Sequence, residues 1–294
     1  MNALAQAQQR RRLQRMMATS HLPVLPPNSP YLLKAMSRDD MSFRELAKVV
    51  EQFPTIAARL LALANSSWSA PTRPIDSLEM ACGRLGFFVV RSVSIALTVA
   101  SVFNPRACPA FDSLRYWTSA LLGADLGSRL ARATPAIEEE AVATARTAGL
   151  LHNLGLLWLA SWLPEPTHQA LSEGADPNRH ASLDELLARH CGMGYCEASA
   201  RLGEAWSFPP ILTRALHHQR SLDYRGRHWP MAALLAGTGH LLHWLEEDAT
   251  APPPVTDPRL IELGLTEEEH QRVAEAALDQ RQRLQTLAKH LFSV

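Results

Sequence analysis

The sequence predicts an all-α fold, and three observations carry that prediction. At four places a Ser, Thr or Asp is followed three residues later by Glu: Ser42 with Glu45, Asp76 with Glu79, Ser182 with Glu185, and Thr266 with Glu269. Each has the spacing of a capping box, in which side chain and backbone satisfy each other's open hydrogen bonds at a helix start. Apolar residues recur at helical spacing in one segment after another. No stretch alternates with period two and no Asn-Gly pair offers a hairpin turn, so nothing favours a sheet.

Taken in order, Ile56, Leu60, Leu61 and Leu63 predict a helix over Thr55 to Ala64, which Asn65-Ser66-Ser67 stops. A second helix runs from Asp76 to Leu85 and ends at Gly86, where a left-handed φ is expected because only glycine adopts it freely. Phe87 to Phe103 is too long for an ordinary strand, so it is assigned as a buried helix ending before Asn104-Pro105 despite its β-branched content. Leu114 to Arg132 and Glu138 to Leu151 follow, parted by Thr134-Pro135. Leu183 to His190, Cys196 to Trp206, Pro210 to His218 and Trp229 to Glu247 complete the main set.

Two places read as joints: Pro105 to Pro109, and the proline-rich stretch Ala249 to Pro254. The organisation expected is a basic helix or tail over residues 1–20 and a helical core over 21–247. The core divides into a part over 21–105 and a part over 110–247; a linker over 248–258 and a final helix over 259–294 follow. In the last segment Val273, Ala277, Leu284, Ala288 and Leu291 lie along one stripe. Such a stripe packs on its own chain or, in the alternative, forms a two-chain seam and a homodimer.

Charge and cysteine use narrow the setting. Lys plus Arg equals Asp plus Glu at 29 each, so no global field steers the chain to nucleic acid or to an anionic membrane. The balance is uneven, however: before Asp39 there is no acidic residue, while Arg10, Arg11, Arg12 and Arg15 cluster. Cys82, Cys108, Cys191 and Cys196 show no C-x-x-C spacing, and with no secretory signal the expected compartment is the cytoplasm. The apolar runs Phe87 to Val93 and Leu150 to Leu163 fall short of the roughly 20 residues a membrane helix needs.

The motifs resemble a known family. Leu22-Pro23-Val24-Leu25-Pro26, the run Phe53 to Ser66, Ile75-Asp76-Ser77-Leu78-Glu79 and Arg84-Leu85-Gly86 are similar to the first half of an HDOD domain. Trp117, the run Ala148-Gly149-Leu150-Leu151-His152-Asn153-Leu154-Gly155, and Ala215-Leu216-His217-His218 are similar to its second half, which derives from HD phosphohydrolases. The resemblance implies a multi-helix HDOD-like bundle. It also implies a bacterial signal-transduction role without catalysis, beside two-component or cyclic-di-GMP proteins, and hence partners that are proteins.

An HD hydrolase holds its metal with an early His, a His-Asp pair and a late Asp, the carboxylates offsetting the dication. Here the early position falls on Ser119, the pair is His152-Asn153, and spacing after Pro230 puts the late position at Gly239. One ligand of four survives, so His152 and Asn153 are expected to be buried polar groups bonded between helices. A zinc site rebuilt from His217, His218, His240 and His243 lacks any carboxylate or thiolate placed by a motif. No phosphate loop, dinucleotide fingerprint or nucleophile elbow is present, so neither catalytic residues nor a cofactor are expected. The alternative is a residual metal-dependent phosphohydrolase acting on nucleotides. For a ligand or partner surface the expected residues are Trp68, Arg10, Arg11, Arg12, His217 and His218, since Trp and Arg anchor interfaces most often.

Overall fold

The computed structural model describes residues 22–292 apart from 37, 39, 177–180, 248 and 250. The arginines Arg10, Arg11 and Arg12 therefore lie outside the described residues. Within them the secondary structure is helical throughout, as the capping and periodicity predict, with no strand.

Four helices make the first part: α1 (Ser29–Met36), α2 (Phe43–Glu51), α3 (Pro54–Ala64) and α4 (Leu78–Ala100). The Ser42 box is formed, its backbone N–H donating to Glu45 Oε2 at 2.8 Å while the Ser42 hydroxyl accepts from the Glu45 N–H. Pro54 opens α3, where its missing N–H costs nothing. Asn65 ends α3 and ties down the loop beyond it, accepting from Ile75 N–H at 2.8 Å and donating to the Ile75 carbonyl at 2.7 Å.

The box expected at Asp76 and Glu79 does not form. Ser77 caps α4 instead, its hydroxyl accepting from Met80 N–H at 3.3 Å. Two adjacent residues could cap this start, and Ser77 is the one with the extended backbone (φ −122°, ψ 150°) that presents an oxygen to the first turn. Glu79 is left to meet Arg44 at 3.4 Å. Gly86 has the predicted positive φ (79°, with ψ 161°), which bends α4 into two helical halves. The second half is buried nearly all round, with Val89, Val90, Val93, Ile95, Ala96 and Val99 in the core. Helix α4 is long and apolar enough by composition to cross a bilayer, yet most of it is packed inside the protein.

After a 3-10 turn at Pro105–Ala107 come α5 (Ser113–Ala133) and α6 (Glu139–Leu150), which form the most extensive helix pair of the fold. They meet through glycines. A Cβ on Gly123 would run into the Gly149 carbonyl, one on Gly149 into the Gly123 carbonyl, and one on Gly127 into the Ala145 carbonyl. Two further helices, α7 (Leu154–Trp162) and α8 (Pro164–Gly174), have no counterpart in the sequence-based assignment. Helix α7 is apolar on every side and so shows no periodicity. Helix α8 begins with Pro164 and Pro166, which read as breakers but are tolerated in a first turn.

Next come α9 (Leu183–Cys191), α10 (Tyr195–Ala205), α11 (Pro210–His218), α12 (Trp229–Glu247), the short α13 (Pro258–Glu262) and α14 (Glu267–Phe292). The stripe Val273, Ala277, Leu284, Ala288 and Leu291 is buried against the chain itself, chiefly on α5. At its end Phe292 stacks on Trp117, centroids 4.2 Å apart and planes within 12°. One buried ion pair went unforeseen: Arg259 donates to Asp257 at 3.1 and 2.7 Å, with both side chains at most 2% exposed, and reaches the Ser221 carbonyl at 3.1 Å.

Candidate functional site

Of the positions that the HD ligand pattern singles out, His152 and Asn153 stand in the tight turn between α6 and α7, Ser119 on α5 and Gly239 on α12. Leu150 ends one helix and Leu154 starts the next, so Leu151, His152 and Asn153 redirect the chain within three residues. Two contacts lock the turn. The Gly155 N–H donates to Ser199 Oγ on α10 at 2.8 Å, and a Cβ at Gly155 would strike the Tyr195 carbonyl and come within 2.6 Å of Ala198 Cβ. From the other side Gln219 Nε2 donates to the His152 carbonyl at 2.7 Å and to the Leu216 carbonyl at 3.0 Å.

His152 is 8% exposed, and its Nδ1 lies 2.8 Å from the Gly149 carbonyl. A carbonyl can only accept, so Nδ1 carries the proton and Nε2 keeps its lone pair. Burial holds the imidazole below its usual pKa, although the Gly149 carbonyl and the charge of Glu246 pull the other way. The ring is therefore neutral near pH 7. The Asn153 amide oxygen is buried and accepts no hydrogen bond from the described residues.

Ser119 is buried on α5, one turn before Gly123, whose missing Cβ would sit 3.1 Å from His152 Nδ1. Gly239 is on α12, which packs on both α5 and α6, and a Cβ there would meet nothing within 4 Å. Two turns further along α12 stands Glu246, the carboxylate whose charge reaches His152. It is already engaged, since Arg115 Nε and Nη2 donate to its Oε2 at 3.0 and 2.7 Å and so join α5 to α12.

The donor set does not fit a divalent metal of the HD kind. It offers one neutral imidazole, one amide oxygen, one hydroxyl and a glycine, with no anionic ligand to balance the charge. Among the described residues no three His, Cys, Asp or Glu side chains converge to hold a metal ion. His243 lies 3.2 Å from Glu247 on its own helix.

His217 and His218, at the end of α11, join this group through their neighbour Gln219. Trp68 does not: its indole N–H donates to the Arg283 carbonyl on α14 at 3.1 Å, and the Arg283 guanidinium sits 5.0 Å over its ring. Sequence reasoning missed Gln219, Ser199 and the Arg115–Glu246 pair. Each bond spans 44 to 131 residues of chain and has no local pattern that could announce it.

Fold and site together define an all-helical protein in which His152 and Asn153 stand in a tight turn between two helices, with no carboxylate at positions 119, 153 or 239. The HDOD domain family matches residues 22–222, and the chain belongs to that family. An uncharacterized protein of Treponema pallidum (strain Nichols) is 22% identical over 230 residues, which are 76% of this chain and 43% of that protein. A candidate signal transduction protein of Marinobacter aquaeolei VT8 superposes with a TM-score of 0.79 at 24% identity, covering 99% of this chain and 66% of that one. This chain thus spans less than half of the first relative and about two thirds of the second. An HDOD domain protein of unknown function from Geobacter sulfurreducens matches over the whole of both chains with a TM-score of 0.70 at 17% identity. A candidate phosphohydrolase of Shewanella amazonensis SB2B covers 95% of this chain and 97% of its own, with a TM-score of 0.67 at 21% identity. At these identities the likeness is one of fold.

Proposed function

We propose that this chain is a non-catalytic regulatory module that relays a signal through protein contacts in the bacterial cytoplasm, in company with two-component or cyclic-di-GMP proteins. The observation that carries the reading is the ligand turn itself. His152 is held by Gly149 and Gln219, and Gly155 close after it by Ser199, as parts of the helix packing, while Ser119, Asn153 and Gly239 provide no carboxylate for a metal. Without that charge no bound water is brought to hydroxide near neutral pH, which is the step an HD hydrolase depends on. The membership in the HDOD family supports the signalling half of the proposal.

The rival is a residual phosphohydrolase, and one assay separates the two. The full chain is incubated with manganese and with nucleoside phosphates or a cyclic dinucleotide, and phosphate release is followed beside a His152→Ala variant. The expected result is release at the blank rate from both. Metal-dependent turnover that His152→Ala abolishes would overturn the proposal.

A further inference from the structure

The surface running from the end of α11 through the loop to α12 is built from rings and guanidinium groups. His217 and His218 stack with centroids 4.6 Å apart, and His218 lies on Tyr224 at 3.7 Å with planes within 3°. The Tyr224 hydroxyl donates to the Arg227 carbonyl at 2.8 Å, and the ring covers Gly226 so closely that a Cβ there would come within 2.7 Å of it. The loop is thereby wound around one tyrosine. Arg225 is used internally, over the Trp229 ring at 4.8 Å and 3.2 Å from Glu262.

Two other arginines are not so used. Arg214 and Arg227 are exposed, and neither has a carboxylate within ion-pair distance among the described residues. Arg214 stands one helical turn before His218, and Tyr224, on which His218 stacks, bonds the Arg227 carbonyl, so the two arginines flank one stack of rings. Burial, His217 and Arg214 push the pKa of His218 down, and burial, Arg227 and Arg214 do the same to His228. His228 also holds a left-handed backbone, φ 64°, which is uncommon away from glycine. At the tip of the loop Leu222 is 60% exposed.

The stretch from Arg214 to His228 thus exposes Arg214 and Arg227, with Leu222 between them in sequence, and one exposed carboxylate, Asp223. Uncompensated like charges raise the local potential and attract an anionic group. The exposed Leu222 decides which kind. A phosphate backbone has no use for it, whereas a peptide that alternates carboxylates with apolar side chains engages both features. Because the loop is already wound, little ordering cost remains on binding.

We propose that Arg214, Arg227, His217, His228 and Leu222 form the docking surface for an acidic segment of a partner protein. Carboxylates of the segment lie on the guanidinium groups and one of its apolar side chains lies on Leu222. The proposal rests on the reading of the chain as a contact-based regulator and adds to it the chemistry of the partner. It also joins the surface to the ligand turn, since Gln219 sits between His218 and the His152 carbonyl.

The test is fluorescence anisotropy of the full chain with a labelled peptide repeating Glu-Glu-Leu, beside its Lys-Lys-Leu counterpart and a single-stranded oligonucleotide. The acidic peptide is expected to bind saturably, and Arg214→Glu with Arg227→Glu to weaken it about tenfold or more. Arg214→Gln with Arg227→Gln acts in the same direction, and Arg272→Glu on α14 changes nothing; each variant is first checked for its helical circular dichroism. Absence of saturable binding, or equal weakening by Arg272→Glu, overturns the proposal. Tighter, arginine-dependent binding of the oligonucleotide overturns it as well and makes the surface a nucleic-acid site. Either failure leaves the hydrolysis assay as it stands, so losing this surface is distinct from losing the regulatory reading.

Discussion

Gln219 at the end of α11 donates a 2.7 Å hydrogen bond to the main-chain carbonyl of His152, 67 residues earlier in the chain. This bond, with the one to Leu216, satisfies a buried amide that has no other described partner. Gln219→Ala leaves the His152 carbonyl bare, and stability falls by about 1–3 kcal/mol, the usual cost of orphaning a buried polar group. Urea denaturation with an unchanged midpoint would show that the turn does not depend on this bond.

The neutral state of His152 sets a pH dependence whose sign is fixed. Its pKa is lowered in the folded chain, so as pH falls below the unfolded value of roughly 6.5 the unfolded chain takes up the proton first. Stability is therefore full above about pH 6.5 and declines on acidification. The other histidines whose pKa is lowered, His218, His228, His240 and His270, contribute with the same sign. His152→Gln should flatten part of the slope between about pH 6.5 and 5 in denaturation curves. An identical slope in the variant would remove His152 from the explanation.

The missing ligands can be put back. Ser119→His, Asn153→Asp and Gly239→Asp together restore the HD donor types, and the open space around Gly239 admits the new side chain. The triple variant is expected to bind manganese or zinc in calorimetry, while the parent chain carries well under one equivalent by elemental analysis. Stoichiometric metal in the parent, removed by His152→Ala, would mean that the present donors suffice after all.

Gly86 is required for its conformation and not for space, since nothing lies within 4 Å of where a Cβ would be. With φ 79° and ψ 161° it occupies a region that is essentially closed to other residues. Gly86→Val should cost about 1–3 kcal/mol and lower the thermal midpoint by several degrees. A retained midpoint in a calorimetric scan would show that the bend relaxes freely.

The Asp257–Arg259 pair is almost wholly buried. Burial by itself raises the Asp257 pKa, but the hydrogen bonds and charge of Arg259 outweigh it, and the carboxyl ends below its ordinary range. Its contribution is present above roughly pH 3.9 and is lost as pH falls through the depressed folded value. Arg259→Ala strands the carboxylate and should cost about 3–5 kcal/mol near neutral pH, whereas replacing both residues with apolar ones costs less. Equal losses in the single and double variants would contradict this.

The parts legible in the sequence are those with local causes. The boxes at Ser42, Ser182 and Thr266, the stop at Asn65, the positive φ of Gly86 and the final stripe from Val273 to Leu291 each depend on neighbours a few residues away. Helix α7 escaped because a segment buried on every side has no polar face to mark its period. The cap of α4 fell one residue from its expected place because Asp76 and Ser77 are both good caps. At the candidate site the residue types at positions 119, 152, 153 and 239 were readable. What holds them was not, because Gln219, Ser199 and Glu246 come from distant helices. Trp68 shows the same limit, since its size marked an anchor but only the fold reveals that Arg283 is what it anchors.

The glycine seam between α5 and α6 separates two kinds of tolerance. At 123, 127 and 149 any side chain collides with the facing backbone, so these positions are closed to drift whatever the chain does for the cell. At Gly239 a side chain meets nothing, and that position is free to change once no metal has to be held. Folding alone therefore fixes glycine at 123, 127 and 149, whereas nothing in the packing dictates what stands at 239.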